Sequence, residues 1–173
     1  LRGAPHVLEL PTDRPHPPVQ TYRGGLHGVE VANELMERVR DLGHRERATV
    51  HIVTATAFQA VLFRYTGQED FVMGSLAANR LRPETQGLIG FFINTLAVRA
   101  RPRPDLIFRE LLAEARDWMV QGFAHAELPF QMVLDEVKPE RDPSRNPLVQ
   151  VLIGIQTPAV HGPPLDQPSG VQL

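Results

Sequence analysis

An apolar run over residues 87–99 is interrupted by one amide and one hydroxyl, those of Asn94 and Thr95. Over residues 91–98 both alternating faces are mostly apolar, which predicts a strand covered by other layers on both sides. An amide buried in such a strand costs about 1–3 kcal/mol unless its hydrogen bonds are satisfied. We therefore expect Asn94 to bind a defined partner, either another segment of the chain or a ligand.

Helical spacing of apolar residues predicts four helices. The first begins at about Val31 and is stopped by Gly43, and the second covers residues 50–66 between a Thr49 cap and Gly67. The second helix is apolar nearly all round, so we expect it to be the central buried helix. The third covers residues 108–123 with Asp105 as its cap, and the fourth is a short helix over 131–137.

Period-two patterns and β-branched residues predict strands at 21–29, 71–73, 91–98 and 148–155. The order is therefore strand, helix, helix, strand, strand, helix, helix, strand. That order predicts an α/β chain of the α+β two-layer type, with helices packed on a small mixed β-sheet.

Prolines crowd both ends of the chain. Residues 1–20 contain five, which predicts a linker laid along a surface, and residues 158–173 are predicted to be a disordered or truncated tail. Residues 21–157 then form the packed lobe. Because the first residue is Leu1 and the sequence opens in mid-phrase, we expect a piece of a longer protein.

Composition narrows the classes of function. A chain of 173 residues with 42% hydrophobic composition buries one core, which favours one domain. A net charge of −2 disfavours a nucleic-acid binder, and the chain has no run of about 18 apolar residues and no signal peptide, so we expect no membrane span and a cytoplasmic protein. The absence of cysteine excludes disulfides and thiolate chemistry.

The sequence offers little catalytic chemistry. The seven histidines have no metal-ligand spacing, and G-x-S-x-G, P-loop and G-x-G-x-x-G motifs are absent, so we predict no metal site and no catalytic residue. His125 and Glu127 are two residues apart and would not face each other as an acid–base pair. The loop with Asn79 and Arg80 follows a strand, where sites are common, although a salt-bridged surface loop is the more frequent outcome.

Five phrases resemble, in order and spacing, the late motifs of nonribosomal peptide synthetase condensation domains. Three are the core motifs, and two are intervening phrases. The core motifs are residues 89–95 (IGFFINT), 125–130 (HAELPF) and 141–148 (RDPSRNPL), and the intervening phrases are 8–15 (LELPTDRP) and 78–84 (ANRLRPE).

The resemblance implies a lobe of the chloramphenicol-acetyltransferase-like fold, the C-terminal one of a pair that encloses a tunnel. Two phosphopantetheine arms of carrier proteins enter such a tunnel as substrate tethers. The family's H-H-x-x-x-D-G motif belongs to the preceding lobe and has no match here, so we expect this lobe alone to be inactive. By resemblance Asn94 and Thr95 lie near the tunnel wall or the opposite lobe.

The resemblance also implies partners and further contacts. The expected partners are the N-terminal lobe, peptidyl carrier proteins and a neighbouring adenylation domain, and an exposed apolar face between lobes would let the isolated piece self-associate. Candidate loop contacts are Asn79, Arg80, Arg145 and Asn146, although the last two more simply shape a turn. Two alternatives are a carrier-docking or scaffold lobe without chemistry, and half of an epimerisation or ester-forming domain.

Overall fold

The structure, a computed structural model, describes residues 1–80 and 82–156. Its strands form one mixed sheet, in which β1 (Phe71–Ala77) is the central strand, antiparallel to β2 (Asn94–Ala100) and parallel to β3 (Leu152–Ile153). The predicted combination of helices with a small mixed sheet is confirmed. In chain order the elements are α1 (Asn33–Arg45), α2 (Val50–Thr66), β1 (Phe71–Ala77), α3 (Pro83–Gln86), β2 (Asn94–Ala100), α4 (Phe108–Ala124), α5 (Phe130–Val137) and β3 (Leu152–Ile153).

The sheet is covered unequally on its two faces. One face packs against α2 and α4, in a core that includes Met73 of β1 and Leu112 of α4, and α1 packs on α2. The other face packs against α5 and the first residues of the chain, around Val72 and Leu148. Gly74 lies in β1 where an added Cβ would clash with the side chains of Leu152 and Val149, so a larger residue would require these side chains to shift.

The helix α2 has the ends that its sequence predicts. The Thr49 hydroxyl accepts a hydrogen bond from the Ile52 amide at 3.2 Å, and Gly67 ends the helix in the left-handed conformation with φ of +69°. The helix predicted to be the central buried one packs against both α1 and α4, but it is not fully covered, because Val61 and Tyr65 are 48% and 70% exposed. The helix has neighbours on one side, and the opposite side faces solvent.

Two helix boundaries differ from the predicted ones. Helix α1 begins at Asn33 and continues through Gly43 to Arg45. An added Cβ at Gly43 would lie 2.6 Å from the Ala48 carbonyl oxygen, so this glycine permits a close contact rather than stopping the helix. Helix α4 is capped at Ile107 rather than at Asp105, because the Glu110 carboxylate accepts the Ile107 amide at 3.1 Å.

The predicted strand at 21–29 is not formed. Residues 21–32 are exposed, and no strand of the described ranges pairs with them. A backbone bond from the Gln20 amide to the Pro143 carbonyl at 2.9 Å holds the chain just before this segment. Alternating residues do not make a strand where no sheet edge is available to complete the ladder.

The strand β2 begins at Asn94, three residues later than predicted. The register of β1 and β2 ends where Ala77 meets Asn94, and Asn79 then turns the chain away with φ of +49°. Residues 91–93 consequently have no partner strand among the described residues. The prediction that they are covered on both sides is wrong, because Phe91 is 89% exposed.

The last predicted strand, residues 148–155, shrinks to Leu152–Ile153. Leu148 has φ of +62°, which interrupts an extended backbone, and pairing with β1 is confined to two residue pairs. The predicted tail at 158–173 lies outside the described residues.

Candidate functional site

Two asparagines join the adjacent ends of β1 and β2 to the segment between α4 and α5. The Asn94 amide nitrogen donates to the carbonyl oxygens of Ala126 at 2.9 Å and Leu128 at 2.7 Å, and its oxygen accepts the Phe130 amide at 3.1 Å. The partner expected for Asn94 is therefore another chain segment. Asn79 donates to the same Ala126 oxygen at 2.9 Å, so residues 126–130 are fixed to both strands.

Arg80 organises the loop of residues 82–93, which lies between Asn79 and Asn94 in the chain. Its guanidinium donates to the carbonyl oxygens of Thr85 at 2.5 Å, Leu88 at 2.9 Å and Gly90 at 3.3 Å, and it lies 4.3 Å from the centre of the Phe92 ring. The Arg80 side chain thus satisfies loop carbonyl oxygens that a neighbouring strand would otherwise have bound. The loop borders a cleft of about 430 Å³ lined by Asn79, Arg82, Thr85, Phe91, Phe92 and Glu127.

Apolar side chains of this loop project into solvent. Ile89 and Phe91 are 105% and 89% exposed, and Leu88 and Ile93 are about half exposed. Exposed aromatic and aliphatic side chains in one short loop are typical of a surface that another protein segment covers.

Thr95 lies on the same sheet face as α5, in the part of that face that α5 does not cover. It is the register partner of Leu76, and pleating places both on the same face as Gly74 and its partner Leu152. Leu76 is 38% and Leu152 is 51% exposed, while Val72 on the same face is buried. We call this half-open surface, defined by Leu76, Thr95 and Leu152, the open sheet face.

Arg145 and Asn146 lie at the other end of the sheet. Strand β3 runs parallel to β1 and pairs with the middle of β1. Because Arg145 and Asn146 precede β3 in the chain, they lie toward the start of β1. Asn94 lies at the end of β1, and the seven-residue strand measures about 20 Å. The structure thus brings Asn79, Arg80, Asn94 and Thr95 together and leaves Arg145 and Asn146 apart.

The turn at 141–147 is held by side-chain bonds to acidic groups. The Arg145 Nε lies 2.8 Å from an Asp142 carboxylate oxygen, and Arg145 Nη1 lies 3.7 Å from Glu9. The amide of Ser144 donates to Asp142 at 2.8 Å, and bonding by Ser144 holds the pKa of that carboxyl below its usual range. The Asn146 carbonyl accepts the Gln150 side chain at 2.7 Å.

A partly buried ion pair, formed by buried Arg99 and half-buried Asp70, lies where β1 begins and β2 ends. Arg99 Nε donates to Asp70 Oδ1 at 2.7 Å, and Nη2 reaches the second oxygen, which makes a bidentate contact. This hydrogen bonding lowers the pKa of Asp70 and raises that of Arg99. No local pattern indicated the pair, because the two residues are 29 positions apart.

His51 is a second polar group that the sequence did not single out. Its Nε2 lies 2.8 Å from the hydroxyl of Ser75, a buried residue of β1, and its ring meets Phe123 edge to face at 6.3 Å between centroids. Its Nδ1 is buried without a hydrogen-bond partner in the described structure. Burial lowers the pKa of His51, so the neutral ring is favoured.

Metal-ligating clusters and bilayer-spanning helices are both absent from the described part of the chain. No group of three or more histidine, aspartate or glutamate side chains there is arranged to hold a metal ion. None of the helices formed by residues 1–80 and 82–156 has the length and apolar content needed to cross a bilayer.

The sequence matches known proteins along its full length. The family model "Condensation domain" matches residues 1–167. The chain is 42% identical over its whole length to a linear gramicidin synthase of Brevibacillus parabrevis. It is 45% identical, over 87% of its length, to phosphinothricin tripeptide synthetase PhsC of Streptomyces viridochromogenes. The chain spans 3% of the first relative and 14% of the second.

Solved structures share the fold. A holo four-domain nonribosomal peptide synthetase bound to AMP and glycine superposes with a TM-score of 0.85 over 88% of this chain and 12% of that one, at 26% identity. The X-domain from teicoplanin biosynthesis superposes with a TM-score of 0.80 over 87% of this chain and 33% of that one, at 22% identity. With the family match over residues 1–167, the resemblance found in the motifs is confirmed: this chain belongs to the condensation-domain family of nonribosomal peptide synthetases.

Proposed function

We propose that this chain is the C-terminal lobe of a condensation domain that forms amide bonds between carrier-tethered aminoacyl or peptidyl thioesters. The observation that carries the proposal is the open sheet face, with Thr95 among exposed apolar side chains and beside the apolar loop of residues 82–93. A surface of this kind suits one wall of a tunnel whose other wall comes from the preceding lobe.

The proposed reaction requires little covalent chemistry from this lobe. An acceptor amine attacks the carbonyl carbon of a donor thioester, the C–N bond forms as the C–S bond breaks, and the donor's thiol leaves as the amine loses a proton. The enzyme therefore mainly aligns two tethered reactants. Asn94 has its amide committed to residues 126–130, and we assign it the task of holding the wall in shape. Thr95, half-buried on the open sheet face, is assigned to the side that the tethered substrate passes. The catalytic histidine motif belongs to the preceding lobe.

The proposal includes partners and tethers. The N-terminal lobe is the partner for the open sheet face, and peptidyl carrier proteins deliver substrates on phosphopantetheine arms, next to an adenylation domain. The matches to several peptide synthetases support this setting. The cytoplasmic location expected from the sequence belongs to the same proposal.

The test is an amide-bond assay in the full-length synthetase, with two carrier-bound aminoacyl thioesters. We expect dipeptidyl thioester from the wild type and a fall in kcat of about tenfold in Thr95→Phe, since small misplacements cost large factors. Gln121→Phe adds the same ring on the exposed side of α4 and should keep wild-type turnover. Racemisation without a new bond, ester formation, or carrier binding without chemistry would each overturn the proposal.

A further inference from the structure

Two leucine side chains supply most of the exposed apolar surface on the open sheet face. Leu76 of β1 is 38% exposed and Leu152 of β3 is 51% exposed. Met73 and Ser75, whose side chains leave β1 on the opposite face, are buried. The open sheet face therefore presents aliphatic groups to whatever covers it.

A glycine on the neighbouring strand lies against each of these leucines. An added Cβ at Gly154 would lie 3.0 Å from Leu76 Cδ1, and an added Cβ at Gly74 would clash with the side chain of Leu152. Because glycine has no side chain, each leucine occupies space that a larger residue across the sheet would otherwise fill. The two leucines lie close against the sheet and determine the depth of the open sheet face.

Uncharged residues make up this part of the sheet. They are Gly74, Leu76, Thr95, Ala97, Leu152 and Gly154. The next charged residue of β2 on the same face, Arg99, is buried and is paired with Asp70. A ligand side chain placed here would contact aliphatic groups, which favour an apolar side chain and disfavour an ionised one.

We propose that Leu76 and Leu152 are specificity-determining residues, which contact the side chain of a carrier-tethered aminoacyl group and favour an apolar one. This inference rests on the proposed function, in which the open sheet face is one wall of the tunnel. Apolar contacts distinguish substrates by size, and one methylene changes kcat/KM by about 10-fold to about 200-fold. Replacing either leucine by alanine removes an isopropyl group from the wall, so larger substrate side chains gain relative to smaller ones.

The test measures amide-bond formation by the full-length synthetase, with carrier domains loaded chemically with alanyl, leucyl, tryptophanyl or aspartyl phosphopantetheine. Leu76→Ala and Leu152→Ala should each raise the kcat/KM ratio of tryptophanyl to alanyl thioester about tenfold. Leu152→Arg should raise the ratio of aspartyl to leucyl thioester about tenfold, because its guanidinium pairs with the substrate carboxylate. Leu35→Ala, at a position of α1 that is 49% exposed, is the matched control and should leave both ratios unchanged.

The donor and the acceptor are varied in separate series, and the series in which the ratios shift identifies the aminoacyl group that contacts the leucines. Amide formation with unchanged ratios in both series overturns this inference and leaves the proposed function intact. An equal fall for every substrate also overturns it, because the leucines would then only maintain the shape of the wall.

A wild-type protein that forms no amide bond from any pair of thioesters overturns the proposed function, and this inference with it. If Leu76→Ala does not fold, the two Leu152 variants, at the more exposed position, supply the same ratios.

Discussion

Asn79 and Asn94 donate to one acceptor, the carbonyl oxygen of Ala126, each at 2.9 Å. Asn79 follows β1 and Asn94 begins β2, so the shared oxygen ties two antiparallel strand ends to the segment that leads into α5. Asn94 adds bonds to Leu128 and Phe130, whereas the Asn79 oxygen is buried without a partner in the described structure. Asn94 is therefore the more important of the two for holding this segment.

Replacing Asn94 tests that ranking. Asn94→Ala should lower the free energy of unfolding by about 2 kcal/mol, because the Phe130 amide and two carbonyls lose their partner, and Asn79→Ala should cost about half as much. Urea unfolding measures both. A double variant should depart from additivity, since the residues share one acceptor. Equal losses in the two single variants would contradict the ranking.

The apolar loop of residues 82–93 should drive self-association of the 173-residue chain. Phe91→Lys should shift the chain toward monomer in sedimentation velocity, because an 89% exposed ring is then replaced by a charge. Leu26→Lys is the matched control, as Leu26 is fully exposed in residues 21–32 and lies outside the loop. A wild-type chain that stays monomeric at high concentration would be the contrary result.

His51 should make folding stability depend on pH. Burial holds its pKa in the folded state below the ordinary value of 6.5, so the unfolded chain takes up the proton first as pH falls. The free energy of unfolding is therefore highest above about pH 6.5 and decreases as the pH falls below it, until the pH reaches the pKa of His51 in the folded state. His51→Gln, which keeps a bond to Ser75 without titrating, should flatten the decline that urea unfolding measures below about pH 6.5, relative to the stability at about pH 8. An unchanged slope would contradict this assignment, and His44→Gln, at an exposed position of α1, provides the control.

Local signals predicted much of the fold. The Thr49 cap and the Gly67 end depend on neighbouring residues, and both appear where the sequence places them. Strand β1 begins at the predicted Phe71 and continues to Ala77, four residues beyond its predicted end. The sequence also predicted that Asn94 needs a partner. It did not indicate which segment, because Ala126, Leu128 and Phe130 are more than 30 positions away.

Whether the remaining predicted strands formed depended on contacts with residues distant in the sequence. Residues 91–93 have the apolar alternation of a strand, yet Asn79 turns the chain away from them, and Arg80 binds the loop carbonyls that a strand would have paired. Residues 21–29 have a similar pattern and meet no sheet edge in the described structure. A strand needs a neighbour as well as a pattern, and the pattern alone does not reveal the neighbour.

The family, the positions of the four predicted helices and the need to satisfy Asn94 could be predicted from the sequence, because motifs, caps and helical periodicity depend on nearby residues. The binding of residues 1–10 by side chains of the lobe, the exposed stripe of α2, the place of Thr95 on an open sheet face and the separation of Arg145 from Asn94 became known from the folded chain. These depend on hydrogen bonds and packing between positions up to 144 residues apart, which no local pattern encodes.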